Sequence, residues 1–369
     1  TPPFLRKNEV MDFSLPAEDD PRRLSVRKWI RGHPQPTPAE LAAEGYVVPE
    51  WPRPWGLDAD PEEQLIIGQE LSLAGIDQHG HNPIGIGWAG PTILAGGTEA
   101  QKARFLPPLV RGEEIWCQLF SEPGAGSDLA GLTTRAERDG DVYLVNGQKV
   151  WTTWAEDADY GILLARTGAA RQKGITYFLC PMRQPGVTVR PIREMTGRTH
   201  FTEVFFDDAR VPVDHVLGVE NGGWPLAKLT LGNERVSLSS GGVLWGMGPT
   251  TSEVLAQAPR PLDPLQQQLA VELHIEAEIM RLMGLRVLSA QIAGRAPGPE
   301  AAVKKMLADR HGQMAMRFLR DAAGAEGLMN GDEASWGFLF SPALTIGGGT
   351  SQVLANIIGE SILGLPRDN

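Results

Sequence analysis

Hydrophobic positions follow three successive textures along the chain. Up to about residue 115, short apolar stripes recur at helical spacing between Pro and Gly breaks. Leu24, Trp29 and Ile30 lie near one amphipathic face, and a second stripe runs through residues 63–73. Thr98-Glu99-Ala100-Gln101 has the form of a capping box that opens a helix through Phe105, and Pro107 and Pro108 are expected to stop it. From residue 116 to about 212, alternating and β-branched runs with turn signals take over. Tyr143-Leu144-Val145 and Lys149-Val150-Trp151 flank Asn146-Gly147, a dipeptide suited to a two-residue hairpin loop. Further strands are expected at 160–165, 174–180, 187–191 and 202–206. After Leu217 the helical period returns. Leu269, Leu273, Met280, Met283 and Val287 share one face of a long helix, and Val303, Leu307, Met314 and Phe318 share a face of the next. The pattern predicts an α+β multidomain chain, with a helical domain over 1–115, an antiparallel β-barrel or sandwich over 116–216 and a helix bundle over 217–369.

Composition narrows the class. With 42% apolar and 21% charged residues among 369, the chain has a globular composition, which excludes disordered and collagen-like architectures. Its 43 Gly and 29 Pro make about a fifth of the sequence and predict many loops and short element boundaries. Two cysteines, Cys117 and Cys180, are too few for a disulfide framework, so a reducing, cytoplasmic setting is expected. No run reaches the ~18 apolar residues of a membrane span, and no charged-then-apolar leader is visible. The formal charge of −11 argues against a broad nucleic-acid face. His79-Gly80-His81 lacks a third ligand at a diagnostic spacing, so no metal site is expected.

Two segments carry candidate chemistry. In Ser121-Glu122-Pro123-Gly124-Ala125-Gly126-Ser127-Asp128, two glycines permit close backbone approach to a ligand and the hydroxyls can donate to it. Trp151-Thr152-Thr153 offers an indole and hydroxyls as a wall for a flat, polar-edged cofactor. Taken singly, the first reads as a surface turn and the second as a core aromatic.

Together with Asn-Gly-Gln-Lys at 146–149, Phe205-Phe206-Asp207-Asp208, Val211-Pro212, Asn233-Glu234-Arg235-Val236, Gly348-Gly349-Thr350-Ser351-Gln352 and Leu363-Gly364-Leu365-Pro366-Arg367, these segments resemble the acyl-CoA dehydrogenase family. They occur in the family's order from about residue 90 onward. The resemblance implies the helical, β, helical architecture and an FAD whose ring lies against the middle domain. It places Ser121 and Thr153 as hydroxyls at the ring, Trp151 as the aromatic packed on it, Gly126 and Ser127 where the loop meets flavin phosphate or CoA, and Thr350 and Gln352 at the cofactor.

The family's reaction needs a carboxylate that removes the thioester's α-proton while the β-hydrogen leaves as hydride. Much of the family carries it as the Glu of a Glu-Gly-Thr sequence, where this chain has Gly348-Gly349-Thr350. An isovaleryl- and long-chain-type branch carries it on a C-domain helix just before an arginine, which Glu234-Arg235 matches. Glu234 is therefore the expected base, Arg235 its electrostatic neighbour or a CoA contact, and the Gly348 N–H a donor to the thioester carbonyl.

Two family stretches that touch the FAD of a neighbouring subunit are altered here, at 255–264, which holds three prolines around Arg260, and at 322–328. The expectation is a heteromeric α2β2 enzyme, of the kind that acts on steroid side-chain acyl-CoA in actinobacteria, with a homologous partner supplying the missing contacts. A homo-oligomer is the alternative. An electron-transfer flavoprotein or similar acceptor is implied. The short region around Met11-Asp12-Phe13 points to fewer helices lining the acyl tunnel and a bulky acyl group. Two rival readings stay open, an oxygen-reactive acyl-CoA oxidase or flavin monooxygenase on the same scaffold, and a catalytically silent partner subunit.

Overall fold

A computed structural model describes residues 16–80, 82–168, 171–240, 242–259, 261–292, 300–329 and 333–366. It divides into two compact units, one spanning Pro16–Asn233 and a second beginning at Glu234.

The first unit opens with helices α1 (Pro21–Gly32), α2 (Pro38–Glu44), α3 (Pro61–Leu73), α4 (Gly90–Gly96) and α5 (Glu99–Val110). Asp20, Thr37, Asp60 and Thr98 each accept a hydrogen bond from a first-turn amide of the helix that follows, and Thr37 and Thr98 complete full capping boxes. The apolar face of α1 differs from expectation: Leu24 is exposed, while Arg23 is buried and pairs with Glu70 of α3. Pro107 and Pro108 do not stop α5. The helix continues to Val110 because Phe105, Leu106, Leu109 and Val110 are all buried, and that packing offsets the lost amide donors.

An eight-stranded sheet follows, built from β1 (Trp116–Leu119), β2 (Arg135–Asp139), β3 (Val142–Thr152), β4 (Tyr160–Arg166), β5 (Ile175–Pro181), β6 (Val187–Ile192), β7 (Phe201–Pro212) and β8 (Val216–Leu217). Its order is β6-β7-β3-β2-β4-β5-β8, with β1 beside β4. The sheet is open and mixed rather than purely antiparallel, since β1 and β2 both run parallel to β4. Residues 162, 164, 177 and 179 pack under the helices. Leu163, Ala165, Phe178 and Cys180 face a second core with Val145, Val204 and Phe206. Both faces are covered, so β4 and β5 read as continuous apolar runs.

Asn146-Gly147 is not a hairpin loop. It lies inside β3, and the β2–β3 turn falls at Gly140, which has φ +60°. A register shift between Val145 and Gly147 marks a bulge. There Asn146 exchanges hydrogen bonds with Asp208, and a Cβ at Gly147 would lie 2.5 Å from Thr134 Oγ1. The glycine is needed for close approach, not for a turn.

Helix α6 (Gly223–Ser240) contains the unit boundary. In the first unit its Thr230 is wholly buried and bonds Thr92 Oγ1, the Tyr177 hydroxyl and the Leu226 carbonyl. The second unit continues with α7 (Thr251–Gln257), α8 (Pro264–Ile292), α9 (Glu300–Ala323), α10 (Glu333–Phe340) and α11 (Ser351–Ile357). Helix α9 packs against α7, α8, α10 and α11. Its inner face is Ala302, Lys305, Asp309, Gly312, Met316 and Leu319; of the expected positions Phe318 is buried, whereas Val303, Leu307 and Met314 are only half-buried. On α8, Leu273 is buried but Leu269 is exposed and Met280, Met283 and Val287 are half-buried. Among the described residues, no helix is long and apolar enough to cross a membrane.

Candidate active site

The two chemical segments of the β-rich unit are neighbours. β1 runs into the 121–128 loop, where Glu122 and Ala125 exchange backbone hydrogen bonds across Pro123-Gly124, and the Val150 amide of β3 donates to the Ser121 carbonyl. A buried ion pair locks this arrangement. Lys149 Nζ donates to Glu122 Oε1 at 2.8 Å and to the Phe120 carbonyl at 3.0 Å. The remaining lone pairs of Glu122 accept from Thr133 N, Thr133 Oγ1 and Thr134 N. Burial alone would raise the Glu122 carboxyl, but Lys149 and these donors hold it down at about 2. Burial lowers the Lys149 ammonium to about 8 against the pull of Glu122.

Trp151 sits beyond this lock in the left-handed region, at φ +62°, where β3 slips register against β7. That conformation is costly for a bulky residue. Its indole is nevertheless 60% exposed and touches Phe201 edge-on. Next to it, the buried Thr152 Oγ1 has no hydrogen-bond partner, and Thr153 is half-buried. Ser121 is half-buried, Gly126 and Ser127 are exposed, and a Cβ at Gly126 would meet nothing within 4 Å.

The second group of expected residues lies in the unit that begins at Glu234. Glu234 is 7% exposed although it sits on a helix. A Cβ at Gly348 would fall 3.7 Å from Glu234 Oε1, 3.2 Å from Lys305 Cε and 2.5 Å from Leu238 Cδ1, and Gly348 has φ +66°. A side chain at 348 would be strained by the left-handed backbone and would have to push the Leu238 side chain aside. Arg235 is half-buried, its Nε lacks a hydrogen-bond partner, and burial lowers its guanidinium against the opposing effect of Glu234. Thr350 caps α11, accepting from Val353 N at 3.2 Å, and Gln352 is exposed on that helix. His79 bonds the Val47 carbonyl through Nε2, while His81, Arg260, Arg367 and residues 11–13 lie outside the described residues.

The geometry can be set beside known proteins. The N-terminal, middle and C-terminal domain models of acyl-CoA dehydrogenases match residues 20–113, 117–209 and 221–363. The acyl-CoA dehydrogenase IpdE1 of Mycobacterium tuberculosis is 38% identical over 89% of this chain and 87% of its own length. The chain belongs to the acyl-CoA dehydrogenase family, a family of flavin-dependent oxidoreductases. The acyl-CoA dehydrogenase FadE34 of the same organism is 44% identical over 89% of this chain, which spans 46% of that relative's length. Among solved structures, the Tcur3481-Tcur3483 steroid ACAD matches with a TM-score of 0.80 and 28% identity, covering 97% of this chain and 100% of that one.

The β half suits the family's flavin. An exposed indole in a strained backbone, an unpartnered buried hydroxyl beside it and an open glycine loop offer a flat face, a polar edge and room for backbone approach. The sequence reading missed Glu122, Lys149, Lys305 and Asp309. A lysine inside a strand of alternating burial, beside Val150, was the available signal for the first pair. Lys305-Asp309 at i,i+4 has the same sequence signature as a surface ion pair.

Proposed function

We propose that this chain desaturates an acyl-CoA thioester between its α- and β-carbons, with Glu234 as the base. The observation that carries this reading is the buried carboxylate of Glu234 beside Gly348, the position at which most of the family would place its own catalytic glutamate. One carboxylate replaces the other at the same small volume, and glycine at 348 leaves the room. Glu234 takes the α-proton. The Gly348 N–H donates to the thioester carbonyl as negative charge develops on its oxygen, which acidifies the α-carbon. Bound FAD would supply a two-electron acceptor for the β-hydrogen, which leaves with its electron pair. Trp151 would stack on the ring, Ser121 and Thr153 would donate to its polar edge, and Gly126 and Ser127 would approach a phosphate. Thr350 and Gln352 would complete the cofactor contacts. Arg235 balances the Glu234 charge or meets CoA.

The partner reading rests on two supports. A related structure is named as a steroid enzyme of two components. On α8, Val271, Ile275, Ile279 and Leu282 share a helical face and are 44–57% exposed, which suits a subunit contact. We therefore place the chain in a heteromeric dehydrogenase acting on a bulky, steroid-like acyl-CoA and passing electrons to an electron-transfer flavoprotein or similar acceptor. Anaerobic titration of the FAD-loaded protein, alone and with a homologous partner, against straight, branched and polycyclic acyl-CoAs tests it. Bleaching by polycyclic thioesters only with the partner is expected. Full FAD occupancy and turnover by the chain alone would remove the heteromer, and absence of bleaching by every thioester would remove the activity.

A further inference from the structure

The second unit contains a fully buried lysine that the reaction outlined above does not use. Lys305 on α9 has no exposed side-chain surface. Its Nζ donates to Asp309 Oδ2 at 2.7 Å, to the Leu344 carbonyl at 2.9 Å and to the Gly347 carbonyl at 2.7 Å, with the Gly349 carbonyl at 3.5 Å. One ammonium therefore holds the carbonyls of the turn that presents Gly348. Its Nζ also lies 5.9 Å from the centre of the Trp245 ring, whose edge would be 2.6 Å from a Cβ at Gly347. The turn thus meets both the ammonium of Lys305 and the indole of Trp245.

A trans peptide is planar, so its carbonyl and the next residue's N–H point in opposite directions. Fixing the Gly347 carbonyl on Lys305 therefore fixes the direction of the Gly348 N–H. Glycines at 347, 348 and 349 have no side chains to do this, and positive φ at 348 and 349 leaves the segment with many alternatives. The same lysine stem borders the space a side chain at 348 would enter, with Cε 3.2 Å and Glu234 Oε1 3.7 Å from where its Cβ would be. The other charged groups that Lys305 meets are Asp309 on its own helix and Arg235 on α6.

We infer that Lys305 is a positioning residue for the desaturation: it aims the Gly348 N–H at the thioester oxygen and places a positive charge beside Glu234. This rests on the dehydrogenase reading for its chemical consequence, though not for the clamp itself. Asp309 keeps the ammonium charged by supplying a buried counter-ion. Lys305 touches neither thioester nor flavin.

The test compares Lys305→Met, Lys305→Arg and Glu234→Gln in the FAD-loaded protein, supplied with the homologous partner if turnover requires it. Hydrogen–deuterium exchange of the 344–350 segment, which needs no substrate, reads the clamp. It should accelerate at least tenfold in Lys305→Met and remain unchanged in Glu234→Gln. With the acyl-CoA that bleaches the flavin fastest, kcat of Lys305→Met should fall on the order of 10²-fold with KM within a few fold, as for loss of one donor that acts in the transition state. The acid limb of its pH profile should move to higher pH, because Glu234 loses a neighbouring cation. Lys305→Arg should restore part of kcat and return the acid limb. If Lys305→Met does not fold, Lys305→Gln is read for the acid limb, which must still move up. Unchanged exchange at 344–350 overturns the clamp, and an unmoved acid limb overturns the placement of charge. Undiminished turnover in Glu234→Gln instead overturns the assigned base while the exchange result stands on its own.

Discussion

Each unit of the molecule buries a lysine against a carboxylate, but the two pairs are built around opposite charges. In the β-rich unit the carboxylate is the hub: Glu122 accepts from Lys149 and from three further donors. In the helical unit the ammonium is the hub, with Lys305 donating to Asp309 and to two backbone carbonyls. The consequence is visible in the acids. Glu122 is held down at about 2, whereas burial raises Asp309 to about 6 despite Lys305. A saturated anion locks two strand ends together for good, while a cation that gathers carbonyls can shape a glycine turn and still act on a neighbouring carboxylate such as Glu234.

The comparison is broken most severely by removing each cation. Lys149→Met leaves a buried Glu122 without its cation and should cost about 3–5 kcal/mol in urea unfolding at pH 7, easing only slightly toward pH 5 because Thr133 and Thr134 still donate to the carboxylate. Lys305→Met should also destabilise at pH 7, but less at pH 5, where Asp309 takes up a proton and no buried charge is left unpaired. Equal pH dependence of the two variants would contradict the distinction.

A smaller effect sharpens it in the unmodified protein. Between about pH 4.5 and 2 the folded state binds fewer protons at Glu122 than the unfolded chain does, so that contribution to stability is lost as pH falls through this window. Asp309 has the reverse sign. Its folded state binds more protons between 3.8 and about 6, so its contribution declines as pH rises through that range. Hydrogen exchange of the segments around 122–150 and 305–349, followed from pH 3 to 7 with the intrinsic rate divided out, should show opposite trends.

The smallest stability change is expected at Trp151. Trp151→Gly removes a left-handed bulky residue and should leave the FAD-free protein within about 1 kcal/mol of wild type. FAD affinity should nevertheless fall about tenfold or more, read by fluorescence titration. Loss of stability with retained affinity would make Trp151 a core residue after all.

Legibility in the sequence followed the physics of each element. Strands β4 to β7 could be read because apolar runs and turn residues are local signals, and the start of α5 because its capping box at Thr98 is. Pro107-Pro108 misled because burial of Phe105, Leu106, Leu109 and Val110 is a tertiary effect that local propensity does not contain. Asn146-Gly147 misled because glycine serves close approach to Thr134 as readily as it serves a turn. The face of α9 was misread because its centre is polar, and a buried Lys-Asp pair has the same spacing as an exposed one. Glu234 is singled out by resemblance to a family motif. Its burial beside Gly348 became visible only once residues more than a hundred positions apart were folded together.

The most direct test of the account is anaerobic mixing of the FAD-loaded Glu234→Gln variant with the acyl-CoA that bleaches the wild-type flavin. FAD should remain bound and the thioester should still bind while the rate of bleaching falls by at least about 10³-fold, as expected for loss of a general base. Bleaching at the wild-type rate would contradict it and move the base elsewhere.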